Sequence, residues 1–480
     1  MSLTSAMLTA QSSIAARSAE MAIASRNVAN VNNPSYARQE AVVQNIVSDT
    51  GSVVYVSHAS RMVNQAAFKA TLKSGSAAIA SGSYANMLDQ LNPSGQVPFG
   101  MSVASSIGSL NEALVAYGND PSNQVLGQSA INSANAVVND IKQSAESLKS
   151  TRLEADAAMG RAVDNINNIL SDLEGVNNKI VSGSAAGKDV NALLDQRDEM
   201  LKVLSEEIGI EVLDQDNNGV AVYTDSGITL FEKSPREVSF DTSLSLGSGE
   251  VGKNVLVDGI AVAGPGATAP VTGGAIAGYA KVRDDALVTM QTQLDETAKA
   301  LVDIFQEHEP APAAGVGDGL FTFVVGAGDL VSRLEVNSAV DPAKGGDVKL
   351  LRDGGINGAT YKHNTDDNAG YSDLLKSYET AFNQERTFDP ASGVNPTSTL
   401  KDFAANTVSW FSAERKMATE SSTLDASAFN SNAQMLSNKT GVNIDTEMQR
   451  LLTIETAYSA SARLMTAVDR MFQELLGAVR

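Results

Sequence analysis

The chain has 480 residues, enough for two to four domains, and a formal net charge of -21, which argues against nucleic acid as a partner because phosphate binding needs clustered Lys and Arg. Hydrophobic residues make up 43%, so a sizeable core is possible, but only 5% are aromatic, a mixture that suits long helices packed through small side chains better than aromatic-lined pockets. There is no cysteine, which excludes disulfides, thiolate metal sites and cysteine nucleophiles.

The first element is an amphipathic helix. Leu3, Met7, Ala10, Ile14, Met21, Ala24, Val28 and Val31 follow a 4-3 spacing, with Arg17 as the exception. The helix is expected to stop near Asn32-Asn33-Pro34, since Asn tolerates left-handed geometry and Pro34 cannot continue a helix. Arg17 is the first charge, and polar residues interrupt the apolar ones before it. A cleavable signal peptide has the opposite pattern. No stretch is long and apolar enough to span a membrane. The expectation is a protein that is cytosolic or leaves the cell uncleaved.

Gln39–His58 alternates apolar and polar residues around a turn at Asp49-Thr50-Gly51, the pattern of a β-hairpin. The longest heptad run follows, through Ala134, Val138, Ile141, Ala145, Leu148, Ala155, Met159, Ala162, Ile166, Ile169, Leu173, Val176 and Ile180, broken by Arg152. As one helix it would be about 70 Å long. Further helices are expected at Val190–Ile208, Arg283–Glu309, Tyr371–Glu385 and Lys401–Leu436. Ile210–Gly264 reads as short strands separated by Asn217-Asn218-Gly219 and Asp225-Ser226-Gly227, and Leu320–Val336 as another β segment. Gly and Pro mark loops at Gly264–Gly274 and Pro310–Gly319. The last element mirrors the first: Ile444, Met448, Leu451, Tyr458, Ala462, Met465, Phe472, Leu475 and Val479 keep a spacing of three or four.

The predicted fold class is mainly α with β insertions: paired terminal amphipathic helices in a coiled-coil-like arrangement, a long rod-like helical middle and a small β domain. The predicted divisions are a terminal helical domain of 1–36 with 439–480, a helical shaft of 37–209 with 273–438 that includes the hairpin and a β segment near 320–350, and a β-rich domain of 210–272. The N-terminal seam has few large side chains, and a helix pair of this composition is marginal in isolation. The ends are therefore expected to be loose in one copy and to order when neighbouring copies dock.

No constellation points to catalysis, a cofactor or a metal. Asp214-Gln215-Asp216-Asn217-Asn218-Gly219, with Asp225 at position twelve, approaches a calcium loop. Its last ligand position holds Asp rather than Glu, and its flanks read as strands, so a turn is the expectation. His58, His308 and His363 lack a second His at ligand spacing. Gly183–Asp189 has the wrong spacing for a phosphate loop, and Gly315–Gly319 lacks the strand-turn-helix setting of a dinucleotide site. Asp284-Asp285 and Glu206-Glu207 are expected to be solvated helix faces.

Asn27-Val28-Ala29-Asn30-Val31-Asn32-Asn33-Pro34-Ser35-Tyr36-Ala37-Arg38-Gln39 resembles the N-terminal signature of the flagellar axial proteins, the family of rod, hook and hook-associated subunits. The usual form has Thr-Pro-Gly-Tyr or Thr-Pro-Gly-Phe where this chain has Asn33-Pro34-Ser35-Tyr36. Asn27, Asn30, Asn32, Pro34, Tyr36 and Arg38 carry the motif. Asn191–Glu199, with its Leu-Leu-Asp-Gln-Arg-Asp core, Gly274–Asp303, Gly319-Leu320-Phe321 and Gly441–Met448 with Ala457–Arg463 resemble, in order, segments of the hook-associated branch.

The resemblance implies a structural subunit at the junction of hook and filament, required for filament growth and not an enzyme. It implies that the terminal helices form the inner core of a tubular assembly and that the β part faces outward. The implied subunit-packing residues are Leu3, Met7, Ile14, Met21, Val28 and Val31 at one end and Ile444, Met448, Leu451, Tyr458, Met465, Phe472 and Leu475 at the other. Implied partners are further copies of the chain, the hook protein, the next hook-associated junction protein and an export chaperone. Neither nucleic acid nor membrane insertion is expected. Export would follow the flagellum's own type III route without a cleaved signal, to an extracellular location. Another axial subunit, of hook or distal rod, and a secreted helical effector are the alternatives.

Overall fold

The computed structural model describes residues 3–48, 51–92, 99–326 and 328–478. The expected hairpin turn at Asp49-Thr50 and the seam residue Val479 lie outside the described residues. In chain order, helix α1 (Leu3–Ala29) leads to the antiparallel hairpin β1 (Gln39–Ser48) and β2 (Gly51–Arg61). Helices α2 (Gln65–Gln90), α3 (Met101–Asn119), α4 (Gln124–Ala185) and α5 (Asn191–Glu207) follow. Two three-stranded antiparallel sheets come next, β3 (Ile210–Asp214), β4 (Val220–Thr224) and β5 (Thr229–Phe231), then β6 (Val238–Ser239), β7 (Val255–Val257) and β8 (Ile260–Ala263). Helix α6 (Gly274–Lys281) runs through a π-helical turn at Val282–Ala286 into α7 (Leu287–Ile304). Small pairs β9 (Glu307–His308) with β10 (Val316–Gly317) and β11 (Phe321–Phe323) with β12 (Leu334–Val336) precede the short helices α8 (Lys349–Asp353) and α9 (Asp373–Phe382). The pair β13 (Arg386–Thr387) and β14 (Thr397–Ser398) leads to the long helices α10 (Leu400–Thr440) and α11 (Ile444–Ala478).

Helix α4 is the spine. At 62 residues it extends beyond the predicted heptad run at both ends and spans roughly 90 Å. Its start is fixed by Asn123, whose side chain accepts from the Val125 amide. Every residue of the predicted run is buried except Ala145 and Ile169, which are partly so. The N-terminal half of α4 shares a core with α3, α7, α9, α10 and the β11–β12 pair. The C-terminal half shares a second core with α5, α6 and both three-stranded sheets.

Helices α2 and α3 go beyond the sequence expectations. The face of α2 is built of Ala, Ser and Gly, so its periodicity is faint. Those small residues permit close packing: a Cβ on Gly278 of α6 would lie 2.3 Å from the carbonyl oxygen of Ala80 in α2. Helix α3 carries Val103, Ile107, Leu110, Leu114 and Tyr117 at plain helical spacing, and all five are buried. The helix expected at Arg283–Glu309 is shifted. Its first turn is the π segment, and it ends at Ile304, beyond which Glu307 enters β9.

The Arg152 break in the heptad run has a structural reason. Its guanidinium turns inward and donates to the carbonyls of Arg283, Leu246, Gly247 and Glu250, at 2.9–3.0 Å. Beside it the fully buried Arg283 pairs with Asp156 at 2.6 Å and Asp284 at 2.7 Å, and donates to the Lys253 carbonyl. Asp156 also accepts from the Ser243 amide at 2.6 Å. These bonds pin the loop before β7 onto α4 at the π turn. Asp284 is thus a buried partner of Arg283 and not a solvated acid. Glu207 is half-buried and accepts from Asn165, so it too departs from the expected solvated face.

The calcium-like segment is a turn. Asp216–Asn218 forms a single 3-10 turn in which Asn217 and Asn218 both have positive φ, as suits Asn. Asp225 accepts from the amides of Thr272 and Gly273 and from the Thr272 hydroxyl. His363, distant from His308 in sequence, sits with its Nε2 2.8 Å from the His308 carbonyl oxygen.

Candidate assembly site at the paired ends

Helix α1 ends at Ala29, before the predicted stop, because the Asn30 side chain donates to the Arg26 carbonyl and the following residues turn. Val31 therefore sits in the turn and not on the helix. At the other end Asn443 caps α11, its side chain accepting from the amides of Asp445 and Thr446. The two helices pack along each other, with Ser13 and Ser461 hydroxyls 2.9 Å apart. The hairpin lies against α1 as well: Thr9 donates to the Ser52 carbonyl, and Ser12 accepts from the Val54 amide.

A polar joint holds these elements where the motif residues meet α11. Asn27, fully buried, donates to the Gln39 carbonyl at 2.9 Å and to Glu447 at 3.1 Å. Its carbonyl oxygen accepts from the Tyr36 hydroxyl at 2.8 Å and the Gln39 amide at 3.0 Å. Glu447, also fully buried, completes its pairing with Arg38 at 2.8 Å, and the Arg38 amide donates to the Thr440 carbonyl. Arg38 and Arg450 both reach Glu40. A buried carboxylate is costly without such partners, and here each oxygen has one. Burial lifts the Tyr36 phenol above its usual range, an effect opposed by Arg26.

The joint continues into α5. Asp195 and Asp198 pair with Arg61 at 2.7 and 2.8 Å, Glu199 accepts from the Ser35 hydroxyl, and Asn191 donates to the Ala59 carbonyl. Arg197 donates to the Asn218 carbonyl, tying α5 to the β3–β4 turn. Burial raises the Asp195 carboxyl, and Arg61 opposes the shift.

Of the motif residues, the structure thus brings Asn27, Tyr36 and Arg38 into one network. Asn30 serves the helix end, while Asn32 and Pro34 are exposed in the turn. Glu447, Arg61, Asp195 and Asp198 were not among the predicted site residues. The signal for Glu447 was a charge just inside an apolar seam; nothing in the local sequence pairs Arg61 with α5.

The predicted seam residues have a shared position. The buried stripe of α1 is Ser5, Ala10, Ala16, Glu20, Ile23, Ala24 and Asn27, and that of α11 is Glu447, Ile454 and Val468. Leu3, Met7, Ile14, Met21 and Val28 flank the α1 stripe, half-buried. On α11, Leu451, Met465 and Phe472 are half-buried, whereas Ile444, Met448, Tyr458 and Leu475 are exposed, Met448 by 49%. Small and polar residues with Ile23, Ile454 and Val468 make the buried contact within the chain, and the other large apolar residues of the seams stand beside it.

The paired ends are thus tied by a polar joint to a helical shaft and keep apolar residues on their flanks. Residues 98–310 match the family model of the flagellar hook-associated protein FlgK helical domain, and residues 432–478 that of the flagellar basal body rod FlgEFG protein C-terminal region. Over these two stretches the chain is similar to the helical domain of the flagellar hook-associated protein FlgK and to the C-terminal region of the flagellar rod proteins. Flagellar hook-associated protein 1 of Escherichia coli (strain K12) is 28% identical over 240 residues, 47% of this chain and 42% of the relative. That of Salmonella typhimurium is 29% identical over 238 residues, with the same coverage. The matched stretch is less than half the length of these relatives. A solved structure, the flagellar hook junction protein FlgK from Burkholderia pseudomallei, aligns at 20% identity with a TM-score of 0.44, covering 53% of this chain and 46% of that one.

Proposed function

We propose that the chain is a structural subunit of the bacterial flagellum that forms the junction between hook and filament and on which the filament grows. The observation that carries this reading is that most of the large apolar seam residues of α1 and α11 stay half-buried or exposed, while Ile23, Ile454 and Val468 are the large apolar residues the two helices bury. An exposed apolar stripe on a soluble subunit marks an interaction surface. In this reading neighbouring copies cover those stripes, so Ile444, Met448, Tyr458 and Leu475 become buried on assembly. Residues 1–36 and 439–480 form the inner layer, 37–209 and 273–438 the shaft, and 210–272 the outer part. Other partners are the hook protein, the next hook-associated junction protein and an export chaperone. The chain acts as a building block and not as an enzyme. It works outside the cell, having left by the flagellar export route without a cleaved signal. Among the described residues no helix is long and apolar enough to cross a membrane.

The test is electron microscopy of flagellated cells lacking the gene, with a blot of the medium for filament subunits. Bare hooks and shed filament subunits are expected. Missing hooks would move the subunit inward to hook or rod, and normal filaments would overturn the assignment. Within it, Met465→Asp should leave the shaft folded and abolish incorporation, scored by the variant's absence from purified flagella.

A further inference from the structure

The hairpin presents a second bare apolar face. In β2, Ser52, Val54 and Val56 are half-buried whereas Val53, Tyr55 and Ser57 are exposed, so the alternation of the strand turns Val53 and Tyr55 outward. Their cross-strand partners are Ile46 and Gln44, and the Tyr55 hydroxyl donates to Gln44 at 2.6 Å. Ile46, Val53 and Tyr55 are all exposed, Ile46 by 55%. No charged residue stands among these four positions.

Helix α11 carries a matching stripe, on the opposite flank of its α1 contact from the Ile444–Met448–Tyr458 stripe. Ala460, Leu464, Ala467, Met471 and Leu475 recur at spacings of four, three, four and four, and all are exposed, Leu464 by 53%. This stripe too is free of charge. In a chain of net charge -21, uncharged apolar faces are the surfaces that two copies can bring together without repulsion.

We infer that the outward face of the β1–β2 hairpin of one copy docks on the Ala460–Leu475 stripe of α11 in a second copy. The inference rests on the self-assembly reading above and names the surfaces it uses. The contact joins two different patches, so it is heterologous. Such a contact propagates from copy to copy and builds rings or helical tubes, whereas hairpin-on-hairpin packing would close a dimer and stop.

The chain's lack of cysteine makes the test direct, since each introduced thiol is unique. Tyr55→Cys, Leu464→Cys and the double variant are each supplied as the sole copy in flagellated cells, and isolated flagella are treated with a short bismaleimide. The double variant should give a ladder of cross-linked multimers, and each single variant only monomer. Val53→Cys, and Cys at Ala460, Ala467 or Met471, repeat the test for a shifted register. A dimer from Tyr55→Cys alone would overturn the inference in favour of a symmetric contact. Incorporated double variants that fail to cross-link at every register would overturn the inference and leave the self-assembly reading standing. Absence of the unsubstituted chain from isolated flagella would overturn both.

Discussion

The shaft and the paired ends carry the same heptad signature and use it in opposite ways. In α4 the seam residues are the core: Ile141, Leu148, Met159, Ile166 and Leu173 are fully buried between two sets of neighbours. In α1 and α11 the large seam residues are only half-buried or exposed, and Ala10, Ala16, Glu20, Ile23, Ala24, Asn27, Glu447, Ile454 and Val468 make the buried contact. A heptad pattern therefore specifies an apolar helix face and not what covers it. Whether the cover comes from the same chain depends on how many other elements are at hand. Helix α4 is surrounded by helices and sheets; α1 has one helix and one hairpin.

The largest effect is expected where the shaft buries charge. Arg283→Ala would leave Asp156 uncompensated beside α4 and should cost about 3–5 kcal/mol in chemical denaturation. A much smaller loss would mean that water reaches the π turn. Next comes the contrast itself. Ile141→Ala should destabilise the free subunit by about 2–5 kcal/mol. Met448→Ala in the same assay should stay within about 0.5 kcal/mol, as for an exposed position. Equal losses would mean that the end seam is already covered within one chain.

The joint lies between these extremes. Glu447→Ala removes the partner of Arg38 and Asn27 and should cost about 1–3 kcal/mol locally. Hydrogen exchange should show it as lost protection in α1 and α11 with α4 unchanged; uniform loss would mean that ends and shaft unfold as one unit. The smallest effect concerns Glu207. Burial raises its folded-state pKa above the unfolded value, with Asn165 opposing. The ionised form is thus penalised by folding, and the penalty is relieved as pH falls through the raised folded pKa. Glu207→Gln should raise stability at neutral pH by about 0.5 kcal/mol or less. It should also flatten that part of the profile, as thermal melts across mildly acidic to neutral pH would show.

Much of the fold was legible because periodicity reports directly on burial. The α4 run, the hairpin from Gln39, the helix at 191–207 and the long last helices fall close to where the pattern puts them. Helix α2 stayed hidden because Ala, Ser and Gly pack tightly without an apolar signal. The site was legible only in part: Asn27, Tyr36 and Arg38 stand in the motif, but Glu447, the partner that Asn27 and Arg38 share, lies 420 residues from Asn27.

The sequence by itself determined the helical class, the absence of thiol chemistry and the amphipathic ends, since each depends on residue type and local spacing. Only the tertiary structure decided that Arg152 and Arg283 turn inward, that α5 clamps the hairpin through Arg61, and that most large seam residues of the ends stay outside their own buried contact. Those outcomes depend on which surfaces, remote in the chain, arrive together, and local spacing holds no information about that.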